Sequence, residues 1–223
     1  MRLTKYAFIL SAALGIYAPL QVPALAQAGF DCGKASSATE KAICSKPDIA
    51  EADRAMSLAY SALLERSSPA LKTALRNDQA AFIKTRSEAF ESNLSNLDNR
   101  LTGLHDRTEM RAEFLNWVSV VDNTSLEGKW SNAWGVINVE KDQSGKLTVS
   151  LDVADQANGT WVCSFSGALE QKSASEAEFK GDGGPLVLRL DGATLNVPTP
   201  FCDETTSGGF GTAAGTYFRM GAP

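Results

Sequence analysis

The spacing of apolar residues changes period once, around Asp122-Asn123-Thr124-Ser125, and this divides the 223-residue chain into two parts that cannot share one kind of secondary structure. Upstream, Ser37-Ala38-Thr39-Glu40 has the form of a capping box and predicts a short helix through Cys44. Ser45 is expected to N-cap a second helix, with Pro47 in its first turn and Asp48 at N3. Ile49, Ala52, Met56, Tyr60 and Leu63 then recur at helical intervals to about Arg66. Ser68-Pro69 restarts the pattern. Leu71, Leu75, Phe82, Phe90, Leu94, Leu97, Leu101 and Leu104 make the second arm of a helical hairpin, as one helix or two, with no glycine until Gly103. A further helical stretch is expected over 106–120. Downstream, residues 136–139, 147–153, 161–165 and 186–190 are short runs of β-formers bounded by turn residues such as Gln143-Ser144-Gly145. The predicted fold class is α+β with segregated halves. A disulfide-stapled helical hairpin or bundle occupies 27–120, a linker 121–127, and a small antiparallel β-barrel or β-sandwich 128–223.

The N-terminus reads as an export signal. Arg2 and Lys5 precede an apolar run over 6–20, and Ala24-Leu25-Ala26 gives the small-x-small pattern of a cleavage site after Ala26. The run is shorter than the ~20 residues a spanning helix needs, Pro19 and Pro23 close it, and no membrane span is expected later. A soluble bacterial protein, periplasmic or secreted, is the expected product. In such a compartment the four cysteines are disulfide partners. The close pairs and histidine cluster of a zinc site are missing, as is the C-x-x-C of a redox couple. Of three possible pairings, Cys32 with Cys44 and Cys163 with Cys202 keeps each bridge inside one half; a peptide joining Cys44 to Cys163 would reveal crossed pairing instead.

Charge narrows the partners. The formal net charge is −5 and becomes −7 once Arg2 and Lys5 leave with the signal. Residues 27–120 carry 13 acidic and 12 basic side chains, whereas 121–223 carry 13 and 7. Nucleic acid and anionic membranes both need a basic footprint, so neither is expected, and a cationic protein is favoured.

Catalytic chemistry finds little support in the residues. His105 is the only histidine and has no nucleophile motif near it. The stretch from Gly209 to Gly215 lacks the Gly-Lys-Ser/Thr ending of a phosphate loop and reads as a hairpin tip. The run from Asp152 to Gly159 lacks EF-hand spacing and reads as a solvated turn. No cofactor or metal site is expected. A glycosidase would need two acids a set distance apart, and no pair stands out. Trp130, Trp134, Trp161 and Phe165 are expected to fill the core or cover its ends. Phe201, Phe210 and Tyr217 flank glycine- or proline-rich segments, where an exposed aromatic could anchor a partner, although core packing is the favoured reading for each.

Phe30-Asp31-Cys32, Glu40, Ala42-Ile43-Cys44, Asp53, Tyr60, Gln79, Phe82, Arg86, Leu94, Arg100 and Leu104 together resemble the LprI lysozyme-inhibitor family over roughly residues 30–105. Phe82 stands where members usually have Trp, and two cysteines usual in the family are missing near Ala89 and at Asn93, which implies a lost second bridge. Asp53 and Tyr60 lie seven apart, as do Gln79 and Arg86, so these four are expected to pair helices, with Asp53 opposite Arg86. The β half has the general look of the barrels of periplasmic lysozyme inhibitors of the membrane-bound c-type class, without that class's motif on "SGGFGTAAGTYFR". The resemblance implies a non-enzymatic exported protein that blocks a lysozyme or related peptidoglycan-cleaving enzyme by filling its sugar cleft, and the acidic charge favours a cationic lysozyme as the partner. An envelope or secretion adaptor is the alternative, and a cryptic hydrolase the third reading.

Overall fold

Ser37 accepts a hydrogen bond from the Glu40 amide (3.1 Å) while the Glu40 carboxylate takes the amides of Ser36 and Ser37 (2.7 and 3.0 Å). This reciprocal cap starts α1 (Ala38–Ser45). The computed structural model, which describes residues 28–92, 94–181, 184–202 and 211–221, continues with α2 (Pro47–Arg66), α3 (Pro69–Glu91) and α4 (Leu97–Trp117). The expected export signal lies outside the described residues.

The start of α2 and the course of α4 through Gly103 differ from the sequence expectation, which had left the second arm open as one helix or two. Ser45 is the last residue of α1, and its hydroxyl donates to the Ala42 carbonyl (2.9 Å). The α2 N-cap is Lys46, which makes no side-chain cap; Pro47, with no N–H to satisfy, suits the first position. The second arm is two helices, because Asn96 accepts from the Asn99 amide (2.9 Å) and restarts the chain as α4. That helix runs through Gly103 and absorbs the stretch expected from Asp106. Leu104, Thr108, Arg111, Ala112 and Leu115 form one buried stripe, which offsets the ~1 kcal/mol that glycine costs a helix interior. Leu94 and Leu97 drop out of the stripe, 75% and 53% exposed, because they stand at the α3–α4 corner and the start of α4.

The β half contains β1 (Gly128–Ser131), β2 (Gly135–Lys141), β3 (Leu147–Ala154), β4 (Val162–Ala168), β5 (Glu170–Gln171), β6 (Glu176–Gly181), β7 (Gly184–Asp191), β8 (Thr194–Val197) and β9 (Gly215–Arg219). All neighbours pair antiparallel in the order β4-β3-β2-β1-β9-β8-β7-β6-β5. Only Leu169 separates β4 from β5, so the two outermost strands are consecutive in the chain and the sheet rolls into a nearly closed barrel. Phe165 of β4 meets Phe179 of β6 (4.5 Å between centroids) and Phe201 (5.1 Å) across that closure. The Cys163–Cys202 bridge fastens β4 to the segment after β8, and Cys32–Cys44 fastens the 3-10 turn at Cys32–Lys34 to α1.

The halves meet along β9. Alternation turns Tyr217 into the barrel core, where its hydroxyl donates to the Ala213 carbonyl (2.8 Å), and turns Phe218 toward the helices, edge-on to Phe114 (6.1 Å). Past α4 the chain pairs with the end of β9: Val118 bridges Met220, and the Ser119 amide donates to the Arg219 carbonyl (2.9 Å). The Asn123 amide reaches the Gly192 carbonyl (2.9 Å), and Leu126 is buried. Gly192 sits at φ +58 in the two-residue turn between β7 and β8, a conformation that favours glycine.

Two measurements check this account. In urea unfolding of the oxidised protein, replacing Cys163 and Cys202 by Ala should cost about 4 kcal/mol, and replacing Cys32 and Cys44 about 3 kcal/mol, from the loop each bridge closes. Hydrogen bonds from the Ser37 and Ser36 backbone hold the Glu40 carboxyl at about 2, against an ordinary 4.5. The stability it lends is full above pH 4.5 and disappears as pH falls through about 2, so Glu40→Gln should flatten the stability curve in that window.

Candidate functional site

Helices α2, α3 and α4 are tied at one buried point. Arg86 of α3 donates through Nη1 to the Asp53 carboxylate of α2 (2.9 Å) and to the Thr108 hydroxyl of α4 (3.1 Å), and Thr108 donates onward to the Leu104 carbonyl (2.7 Å). The second Asp53 oxygen accepts from the Gly29 amide (3.1 Å). Arg86 and Asp53 are 6% and 4% exposed at their side chains, so the charges are held by each other and not by water.

One turn further along lies a second buried pair that the sequence did not single out. Arg111 of α4 donates to Asp78 (2.7 Å) and to the Gln79 side-chain carbonyl (2.8 Å), and the Gln79 amide contacts the Met56 sulfur (3.5 Å). Burial pulls the Arg111 guanidinium below its ordinary value, and Asp78 opposes that pull. The other Asp78 oxygen accepts from the Ala133 amide (2.8 Å) in the β1–β2 turn. Asn132 stiffens this turn, accepting from the Trp134 and Gly135 amides (2.9 and 3.1 Å) and donating to the Thr216 carbonyl of β9 (3.2 Å). Asp78 therefore joins two helices and the barrel. Phe82 carries both arginines on its ring, Arg86 at 5.6 Å and Arg111 at 5.0 Å, and Phe114 backs Arg111 at 4.4 Å.

Along this junction runs a cleft of about 220 Å³ between α3, α4 and the β1–β2 turn, lined among others by Phe82, Arg107, Met110, Phe114, Asn132 and Ala133. The structure thus brings Asp53, Gln79 and Arg86 into one polar spine. Tyr60 packs beside it, half-buried, its hydroxyl pushed up by desolvation against the pull of Arg76 and Arg111. Asp78, Thr108 and Arg111 are the members that sequence reasoning missed. A periodicity that treats polar residues as solvent-facing cannot show them. At the α3–α4 corner Arg100 ties the end of α3 to the start of α4. It donates to the Phe90 and Ser92 carbonyls (3.1 and 3.4 Å) at the end of α3 and lies over the Phe90 ring (5.6 Å).

The aromatic residues considered for partner contact are placed elsewhere. Phe201 and Tyr217 are 3% and 1% exposed in the barrel core, because the closure of β4 on β6 and the alternation of β9 turn them inward; neither presents a surface to a partner. Phe210 lies outside the described residues. Trp130 is fully buried, while Trp134 and Trp161 pack together, half-buried, at one end of the barrel (6.4 Å). Among the described residues, His105 hydrogen-bonds only its neighbour Asp106 (3.1 Å). Among the described residues, no group of three His, Cys, Asp or Glu side chains is placed to hold a metal ion.

Residues 32–115 match the model of the family described as "Lysozyme inhibitor LprI", from Cys32 through α1, α2 and α3 to Leu115 of α4. No curated protein matches the chain, and no solved structure does.

Removing Arg86 alone leaves a buried carboxylate without its cation, so Arg86→Ala should cost about 3–5 kcal/mol in urea unfolding, and the double variant Asp53→Leu/Arg86→Met should recover most of that loss. Asp78→Ala should destabilise by a similar amount and raise the hydrogen-exchange rate of the Ala133 amide, the one barrel amide that Asp78 accepts from.

Proposed function

We propose that this protein is exported and blocks a lysozyme or a related peptidoglycan-cleaving enzyme by binding it, without catalytic chemistry of its own. The observation that carries this reading is the family match across the helical half. Two physical features support it. The matched half is held by the Cys32–Cys44 bridge and two buried ion pairs, so little ordering is left for binding to require. The charge excess lies in the other half, with 13 acidic against 7 basic residues over 121–223. Exposed acids there, among them Glu140, Asp142, Asp152 and Glu170, would steer a cationic enzyme toward the molecule and raise its association rate.

The test uses oxidised residues 27–223 against a peptidoglycan suspension lysed by c-type or g-type lysozyme across a salt series. Saturable inhibition of a cationic enzyme is expected, with an association rate that falls about tenfold or more from low to high salt. No inhibition of either enzyme would overturn the reading. Inhibition indifferent to salt would overturn the steering role of the acidic half.

A further inference from the structure

A second cleft, of about 310 Å³, opens between the α3–α4 corner and the β3–β4 turn, and its lining differs in kind from the rest of this acidic protein. Three arginines line it: Arg86 from α3, and Arg100 and Arg107 from α4. Arg86 is 94% buried and Arg100 half-buried, and each hydrogen-bonds the described residues through Nη1 alone, to Asp53 and Thr108 in one case and to the Phe90 and Ser92 carbonyls in the other. In both, Nε is shielded from solvent and has no hydrogen-bond partner, and Nη2 makes no hydrogen bond to any described residue. The donor left over on each guanidinium is Nη2, from which a carboxylate oxygen can accept a charge-assisted hydrogen bond.

Arg107 is half-buried and forms no hydrogen bond or ion pair with the described residues. Arg86 is balanced by Asp53, but no carboxylate lies within ion-pair distance of Arg100 or Arg107 among the described residues. The acid in the lining, Asp155, is occupied by the Thr160 hydroxyl (2.7 Å) and the Ala157 amide (2.9 Å), which build the opposite wall as a preformed turn. Ser95, Asn99, Gln156 and Asn158 add neutral donors and acceptors around the rim. The volume is at the low end for ligand sites, enough for one sugar ring or a dipeptide.

From this we infer that the cleft between α3–α4 and the β3–β4 turn is a binding site for a small carboxylate, held by the unpaired Arg107 together with the Nη2 groups of Arg100 and Arg86. The inference does not rest on inhibition of a lysozyme. Two sources share the chemistry, an acidic sugar and a peptide C-terminus, and the test separates them.

The test titrates the oxidised protein, followed by ¹⁵N NMR, with N-acetylmuramic acid and with the dipeptide Ala-Ala, each beside its partner lacking a free carboxylate, N-acetylglucosamine and Ala-Ala amide. Saturable shifts confined to the amides of 99–107 and 155–159 are expected for at least one acid, and the better acid identifies the source. Neither neutral counterpart should give them. Arg107→Ala, which removes no hydrogen bond or ion pair among the described residues, should weaken binding tenfold or more with the thermal midpoint unchanged, with Arg107→Lys in between. Three results would each overturn the proposal: no saturable binding of either acid, equal binding of a neutral counterpart, or full affinity in Arg107→Ala.

Discussion

Asp78 is the residue on which the relation of the two halves depends. One of its oxygens holds Arg111, a cation only 3% exposed at its side chain, and the other holds the Ala133 amide of the barrel. A buried ion pair adds little net stability over an apolar core, but it is intolerant of displacement, because moving either partner strands a charge. The pair therefore acts as a positional lock. If α3 slid against α4, Arg111 would lose its carboxylate, and if the β1–β2 turn lifted away, Asp78 would lose its second donor. Asp53 and Arg86 do the same within the helices, and Phe82 lies under both guanidiniums.

The barrel solves a different problem. Its outermost strands would be open edges, and a two-residue β5 is too short to hide one. Leu169 joins the edges by covalent continuity, Phe165, Phe179 and Phe201 fill the seam, and Cys163–Cys202 clips it. Each half is small for an independent core, and β9 serves both, Tyr217 facing one and Phe218 the other. The segment from Val118 to Leu126, hydrogen-bonded to Arg219 and Gly192, is part of the junction.

A binder gains from such construction. The helical half that matches the lysozyme-inhibitor family is fixed by a bridge and by charges that leave few alternative packings. The acidic excess lies on the barrel, where it acts at a distance and needs no fixed geometry. The arginines of the α3–α4 corner are the local exception, a positive cleft in a negative molecule.

The sequence by itself determined the α+β division, the helix cap at Ser37 and Glu40, the core strands of the barrel and the residues that carry the family resemblance. Those signals are local: a period of 3.6 or 2, a capping hydroxyl three residues from a glutamate, a turn residue between β-formers. It left the number of helices in the second arm open, because a stripe of leucines does not show that the chain turns at Ser92 to Asn96 and sends Leu94 outward. Tertiary structure alone decided that Asp78 and Arg111 meet, that they hold the barrel to the helices, that Phe201 and Tyr217 face inward, and that Arg86, Arg100 and Arg107 share one cleft. Each of these depends on residues brought together from distant elements. A buried charge looks the same in sequence as a solvated one until its partner, 33 residues away for both Asp53–Arg86 and Asp78–Arg111, is placed beside it.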